Sequence, residues 1–137
     1  MYVGQAGCPT KKIMKTTKKG GEFMKLLTKE LKAKLPALYA QENESDPMVY
    51  IKFFDPVGSW TWYAAEGEKT KDGDFLFFGF VVGLEAELGY FTLSQLLSAK
   101  QGRTGLWALP IERDLYFTPC RLSEVKKIHN KAHGTQS

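Results

Sequence analysis

The sequence predicts an α+β fold, an antiparallel β-meander of about four to five strands with short helices packed at its ends. Three observations carry that expectation. Between residues 48 and 93, segments rich in β-branched and aromatic residues alternate with short polar turns. Helix-start signals stand on either side of them, at Thr28 and Thr92. The segment 75–83 is apolar on both faces, the composition of a central strand covered on both sides.

Thr28 suits a helix N-cap, with Glu30 in the first turn where an acid complements the helix dipole. Leu31, Leu35 and Leu38 then share a helical face, and Pro36 predicts that the helix stops near Leu35 or restarts there as a short second turn. Residues 41–47 (QENESDP) are polar loop. Residues 48–54 (MVYIKFF) predict the first strand, ended by the turn Asp55-Pro56-Val57-Gly58. Residues 60–65 (WTWYAA) alternate, placing Trp60 and Trp62 on one face and Thr61 and Tyr63 on the other. In the strand 75–83 (FLFFGFVVG), Gly79 and Gly83 predict a bulge or the close approach of another backbone. Residues 87–93 return as a fourth strand, and Thr92 with Gln95 makes a capping box that opens a helix to about Lys100. Residues 101–105 are loop, 115–118 predict a short last strand stopped by Pro119, and 123–131 predict a terminal helix.

The stretch KKGGEFM at 18–24 divides the chain by charge. It can be encoded by a purine-rich bacterial ribosome-binding signal followed by a start codon, so residues 1–23 are expected to be a disordered translated leader and the natural start is expected at Met24. Residues 24–125 are then one globular domain, and 126–137 a helix fraying into a flexible tail. Residues 1–23 hold five lysines and one glutamate, which is the whole formal net charge of +4. Residues 24–120 hold ten basic and thirteen acidic side chains, or −3. A nucleic-acid surface needs a basic stripe to neutralise phosphates, so nucleic-acid binding is not expected of the folded body. The longest apolar run, 75–84, is about half of the roughly 20 residues a spanning helix needs, and two cysteines without an export signal predict a reduced cytoplasmic setting with no membrane contact.

Chemistry-bearing residues are sparse. Glu66, Asp72 and Asp74 cluster around one hairpin together with Glu68 and form the candidate metal set for a hydrolase reading, while Glu85 and Glu87 fall at the next turn, at the opposite end of a meander. Solvated turn carboxylates are the preferred account of all of them. Cys120 and the serines have no histidine partner within residues 24–120, and the histidines at 129 and 133 read as tail residues, so no catalytic residue is assigned. The glycine-rich stretches lack phosphate-loop spacing, and no cofactor is expected. Trp60, Trp62, Tyr63, Phe77, Phe78 and Tyr90 could stack on single-stranded bases, but without accompanying cations a filled aromatic core is the better account. Glu112, Arg113 and Asp114 suit a forked ion pair that positions a loop, or a partner contact.

Several ordered motifs carry a resemblance: FFDP at 53–56, WTWY at 60–63, EGE at 66–68, DGDFLFFG at 72–79, GLEAELGYF at 83–91 and PIERDLYF at 110–117. Over residues 24–125 the chain resembles domain-of-unknown-function family 2958. The resemblance implies a small bacterial protein of plasmids and conjugative elements, with no activity to carry over. Elimination then leaves a non-enzymatic accessory protein that binds another protein, such as a host-defence or replication component. Trp60, Trp62, Tyr63, Glu112, Arg113 and Asp114 are its candidate partner-binding residues, with the metal-dependent hydrolase and single-strand binding as alternatives.

Overall fold

The computed structural model describes residues 25–132, with side chains described to residue 130; the proposed leader and the tail from 133 onward lie outside the described residues. Helix α1 (Lys29–Lys34) starts at Thr28, whose hydroxyl accepts from the Leu31 amide at 3.2 Å. It ends because Pro36 excludes the helical conformation at Leu35, which adopts φ −74° and ψ 131°. Five strands form an antiparallel sheet: β2 (Ile51–Phe54), β3 (Thr61–Lys69), β4 (Phe75–Val82), β5 (Ala86–Thr92) and β6 (Glu112–Arg113). Their order is β5-β4-β3-β2-β6, so β2 to β5 are a meander and β6 returns to the far edge. The fold is α+β, as the alternation of strand and turn signals predicts.

Helix α2 (Leu93–Ser98) follows β5 directly and carries the complete capping box of Thr92 and Gln95. Helix α3 (Leu122–Ala132) closes the described chain. Just before it, β7 (Cys120–Arg121) pairs with β1 (Met48–Val49) in a separate two-stranded ladder. The expected strand 48–54 is therefore two strands, because Val49 pairs with Cys120 whereas Ile51 pairs with Ala64 of the main sheet. The expected strand at 115–118 is a turn. Asp114 causes it: its carboxylate accepts from the Tyr116 amide at 2.9 Å and its carbonyl from Phe117, a local alternative to pairing with another strand.

The sheet buries both faces. On one, Ile51, Phe53, Ala64, Phe77 and Phe91 pack with Leu26, Leu27, Leu35, Leu96 and Ile111. Phe53 and Phe77 are fully buried, and the Phe77 and Phe91 rings stack with centroids 5.1 Å apart. On the other, Val49, Tyr63, Phe80 and Val82 lie under Leu122 and Val125 of α3. That covering explains the two-sided apolar pattern of 75–83.

Helices α2 and α3 are held at their starts by carboxylates from distant turns. Asp74 accepts from the Ser94 amide and hydroxyl at 3.1 and 2.6 Å, and Asp46 accepts from the Ser123 amide and hydroxyl at 2.9 and 2.7 Å. Among the described residues no helix is long and apolar enough to cross a membrane.

Candidate functional site: a cleft opened by a bulge

Strand β3 does not end at Ala65 but runs on to Lys69, and its register slips once on the way. Ala64 pairs with Gly79 and Glu66 pairs with Phe78, so Ala65 is an extra, bulged residue. Side chains alternate along a strand, so in a regular register without the bulge Glu66 would point with Ala64 into the core of Phe53 and Phe77. With it, Glu66 shares the face of Phe78 and Tyr90. Gly79 makes the bulge sterically possible, because a Cβ there would collide with the Tyr63 carbonyl oxygen. The close backbone approach predicted at Gly79 is thus present. At Gly83 the approaching group is instead the Trp60 ring, which occupies the space a Cβ would need.

Glu66 is not the solvated turn residue that its sequence setting predicts: only 5% of it is exposed. Its two carboxylate oxygens accept the backbone amides of Tyr39 and Gln41 at 2.7 and 2.8 Å. Gln41 continues the attachment: its side-chain amide donates to the carbonyls of Met48 and Ala65, and its oxygen accepts from the Met48 amide. The polar stretch after α1 is therefore stitched to the sheet. It holds Tyr39 at φ 71°, a left-handed conformation a tyrosine seldom adopts, with the residue 61% exposed.

Between this stretch, the β4–β5 face and α3 lies a cleft of about 450 Å³. Phe78, Phe80, Leu88 and Tyr90 form its floor, and the Phe78 and Tyr90 rings are 5.0 Å apart. The Tyr90 hydroxyl donates to that of Tyr39 at 3.3 Å, and this hydrogen bond raises its pKa. Among the described residues three carboxylates, Glu42, Glu44 and Glu66, and one ammonium, Lys126, line the cleft. The Lys126 Nζ lies 5.7 Å from the Phe80 ring centroid. On one side of the cleft β5 is, among the described residues, the edge strand of the sheet.

The residues singled out from sequence are spread over the molecule. Trp60 and Trp62 do stack on one face, with centroids 6.0 Å apart, and Trp60 is 41% exposed. Tyr63 points to the other face and is buried. Its hydroxyl meets His129 Nε2 of α3 at 2.6 Å, so His129 packs on the sheet rather than standing in a tail. Burial, with Asp114 and Cys120 nearby, pushes the pKa of the Tyr63 hydroxyl up to about 12. At the opposite sheet edge, Arg113 donates to the carbonyls of Lys25 and Leu26 at 2.8 and 3.4 Å, which ties the chain before α1 to β6. Burial lowers its pKa. Asp114 pairs with Lys52 at 3.4 Å, so the forked pair expected within 112–114 is replaced by a longer-range set of contacts in the same positioning role.

The metal candidates are not brought together. Asp72 accepts from the Thr70 hydroxyl, Asp74 caps α2, and Glu66 lies three rungs up β3, about 10 Å from the turn. Among the described residues no three His, Cys, Asp or Glu side chains form a group that could hold a metal ion. Sequence reasoning missed Tyr39 and the role of Glu66. The available signal was the small pair Ala64-Ala65 opposite Gly79, the composition of a bulge.

Compared with known families, the chain matches the one described as Protein of unknown function (DUF2958) over residues 26–135. The chain belongs to this family. The match runs from the segment ahead of α1 through α3, and so takes in every element that builds the cleft. No curated protein and no solved structure matches the chain.

Proposed function

We propose that this DUF2958 protein is a protein-binding accessory factor of a bacterial mobile genetic element, and that it takes an extended segment of its partner along β5. One observation carries the reading. Edge strands in stable proteins are blunted by lysine, proline, a bulge or a covering element, because their free N–H and C=O groups invite another strand. Strand β5 (AELGYFT) has no lysine or proline, keeps regular register with β4 throughout, and is largely exposed. Its single charge is Glu87. Beside that open edge, Leu88 and Tyr90 are 48% and 51% exposed and continue into the apolar floor of the cleft. Main-chain pairing along the edge would supply affinity, and the cleft would select the side chains that fall on its face.

The mobile-element setting rests on the family resemblance, and the partner class on the near-neutral body that disfavours nucleic acid. Host-defence or replication proteins in the cytoplasm are the proposed targets. The test compares partners recovered from a bacterial host by the full chain and by Leu88→Lys, which places a blocking lysine on the edge. Loss of the partner with Leu88→Lys supports strand addition. A partner that survives Leu88→Lys and is lost with Trp60→Ala moves the site to the Trp60 and Trp62 face.

A further inference from the structure

We infer that the Tyr39 end of the cleft is a receptor for one cationic side chain, an arginine or lysine carried by the partner strand. This rests on strand addition at β5 and adds what the added strand must carry. Tyr39, Phe78 and Tyr90 surround one end of the cleft, and the buried carboxylate of Glu66 lies at its base. Aromatic faces attract cations through the ring quadrupole, and the attraction grows when the site is partly removed from water. Glu42 and Glu44 on the rim add negative potential that an incoming cation would meet first.

Three features point to a cation rather than an apolar side chain. The carboxylate is permanent to the site, because the Tyr39 and Gln41 amides hold both its oxygens in place. An apolar occupant would bury that charge further without answering it. The exposed Tyr39 ring is also held beside Tyr90 by the hydrogen bond between their hydroxyls, so aromatic faces that a cation can use stand together at this end. Finally, the same cleft already pairs a cation with a ring two rungs away. Lys126 stands over Phe80, which pairs with Leu88, next to the Phe78 and Tyr90 pair. A side chain from a strand added at β5 would enter beside Tyr90, within reach of these rings.

The experiment titrates the full chain with acetyl-arginine amide and with its neutral analogue acetyl-citrulline amide, followed by ring and amide chemical shifts. Arginine should give saturable shifts confined to Tyr39, Phe78, Tyr90 and the amides near Glu66, with binding about fivefold tighter than citrulline. Tyr90→Leu removes an exposed ring while keeping an apolar residue, so its spectrum should stay folded while the preference falls to near unity. Equal binding of the two compounds, or arginine shifts scattered over Glu42 and Glu44 and unchanged in Tyr90→Leu, would overturn the inference. The strand reading is separated by a blocked Thr-Val-rich extended peptide carrying a central arginine or citrulline. If both peptides protect β5 amides equally, strand addition stands and the cation receptor fails. If arginine amide binds the cleft but neither peptide protects β5, the receptor stands without the strand.

Discussion

Replacing Glu66 by glutamine keeps the side chain's length and removes its charge, in a residue that is 5% exposed and holds two backbone amides. The amide oxygen can keep one of the two hydrogen bonds, weakened by about 1 kcal/mol because its acceptor is now neutral. The other backbone N–H then faces an NH₂ group, donor against donor, and is left unsatisfied at a cost of about 1–3 kcal/mol. Together these give about 2–4 kcal/mol, or roughly a 10–20 °C loss in Tm for a domain of this size. Glu68 is the internal control. It accepts the Leu38 amide at 3.3 Å from an exposed position, so Glu68→Gln should stay within about 0.5 kcal/mol of the parent. Urea unfolding measures both, and hydrogen exchange at the Tyr39 and Gln41 amides reports whether the stretch after α1 lifts off before the sheet melts. Equal stability of the two variants, with the Tyr39 and Gln41 amides still protected, would refute Glu66 as the anchor.

Gly79→Ala should cost about 3 kcal/mol, the upper end of overpacking, because its methyl meets the Tyr63 carbonyl, whereas Gly89→Ala, with open space around its Cβ, should be near neutral by urea unfolding. The pKa values of Asp46 and Asp74 are lowered, first by the hydroxyls of Ser123 and Ser94 and next by backbone amides. Their folded values lie below the unfolded ones, so their stabilisation is complete above about pH 4 and is lost as pH falls through the folded values. A Tm profile from pH 6 to pH 2.5 should therefore drop less steeply in Asp46→Asn and Asp74→Asn than in the parent, and superimposable slopes would contradict the capping roles. Because Asp74 is committed to α2 and Glu66 to the Tyr39 stretch, millimolar Mg²⁺ or Mn²⁺ should leave Tm unchanged. A metal-induced rise abolished by Asp72→Asn would restore the hydrolase reading.

Local signals made most of the fold legible, and apart from the turn at 115–118, which Asp114 sets locally, the errors fall where distant residues decide. Thr28, Pro36 and the Thr92–Gln95 box act on their own helices, and each behaves as its chemistry dictates. The alternation of Trp60, Thr61, Trp62 and Tyr63 is likewise a property of one strand, and it places the rings on the correct faces. Three features escaped: Tyr50 as a break between two ladders, the continuation of β3 past Ala65, and the packing of His129 on Tyr63. Each depends on a residue more than a dozen positions away, and no period of 2 or 3.6 encodes it. The six partner-binding candidates came from residue type alone, which is why the structure finds them on two faces and at the far edge of the sheet.

In the proposed reading, a single bulge makes a recognition surface of a structural sheet. Carboxylates are expensive inside a core, so a strand reading Ala64-Ala65-Glu66 in regular register would either expose its face or destabilise the Phe53 and Phe77 cluster. The bulge moves the charge to the opposite face, where two amides of the stretch after α1 satisfy it. The same move fixes the position of Tyr39 beside Tyr90, and so sets one wall of the cleft next to the edge strand of the sheet. The proposed recognition is therefore coupled to stability through Glu66. A substitution there should weaken the sheet and empty the Tyr39 wall together, while substitutions at Tyr90 or Leu88 should change binding with the fold intact.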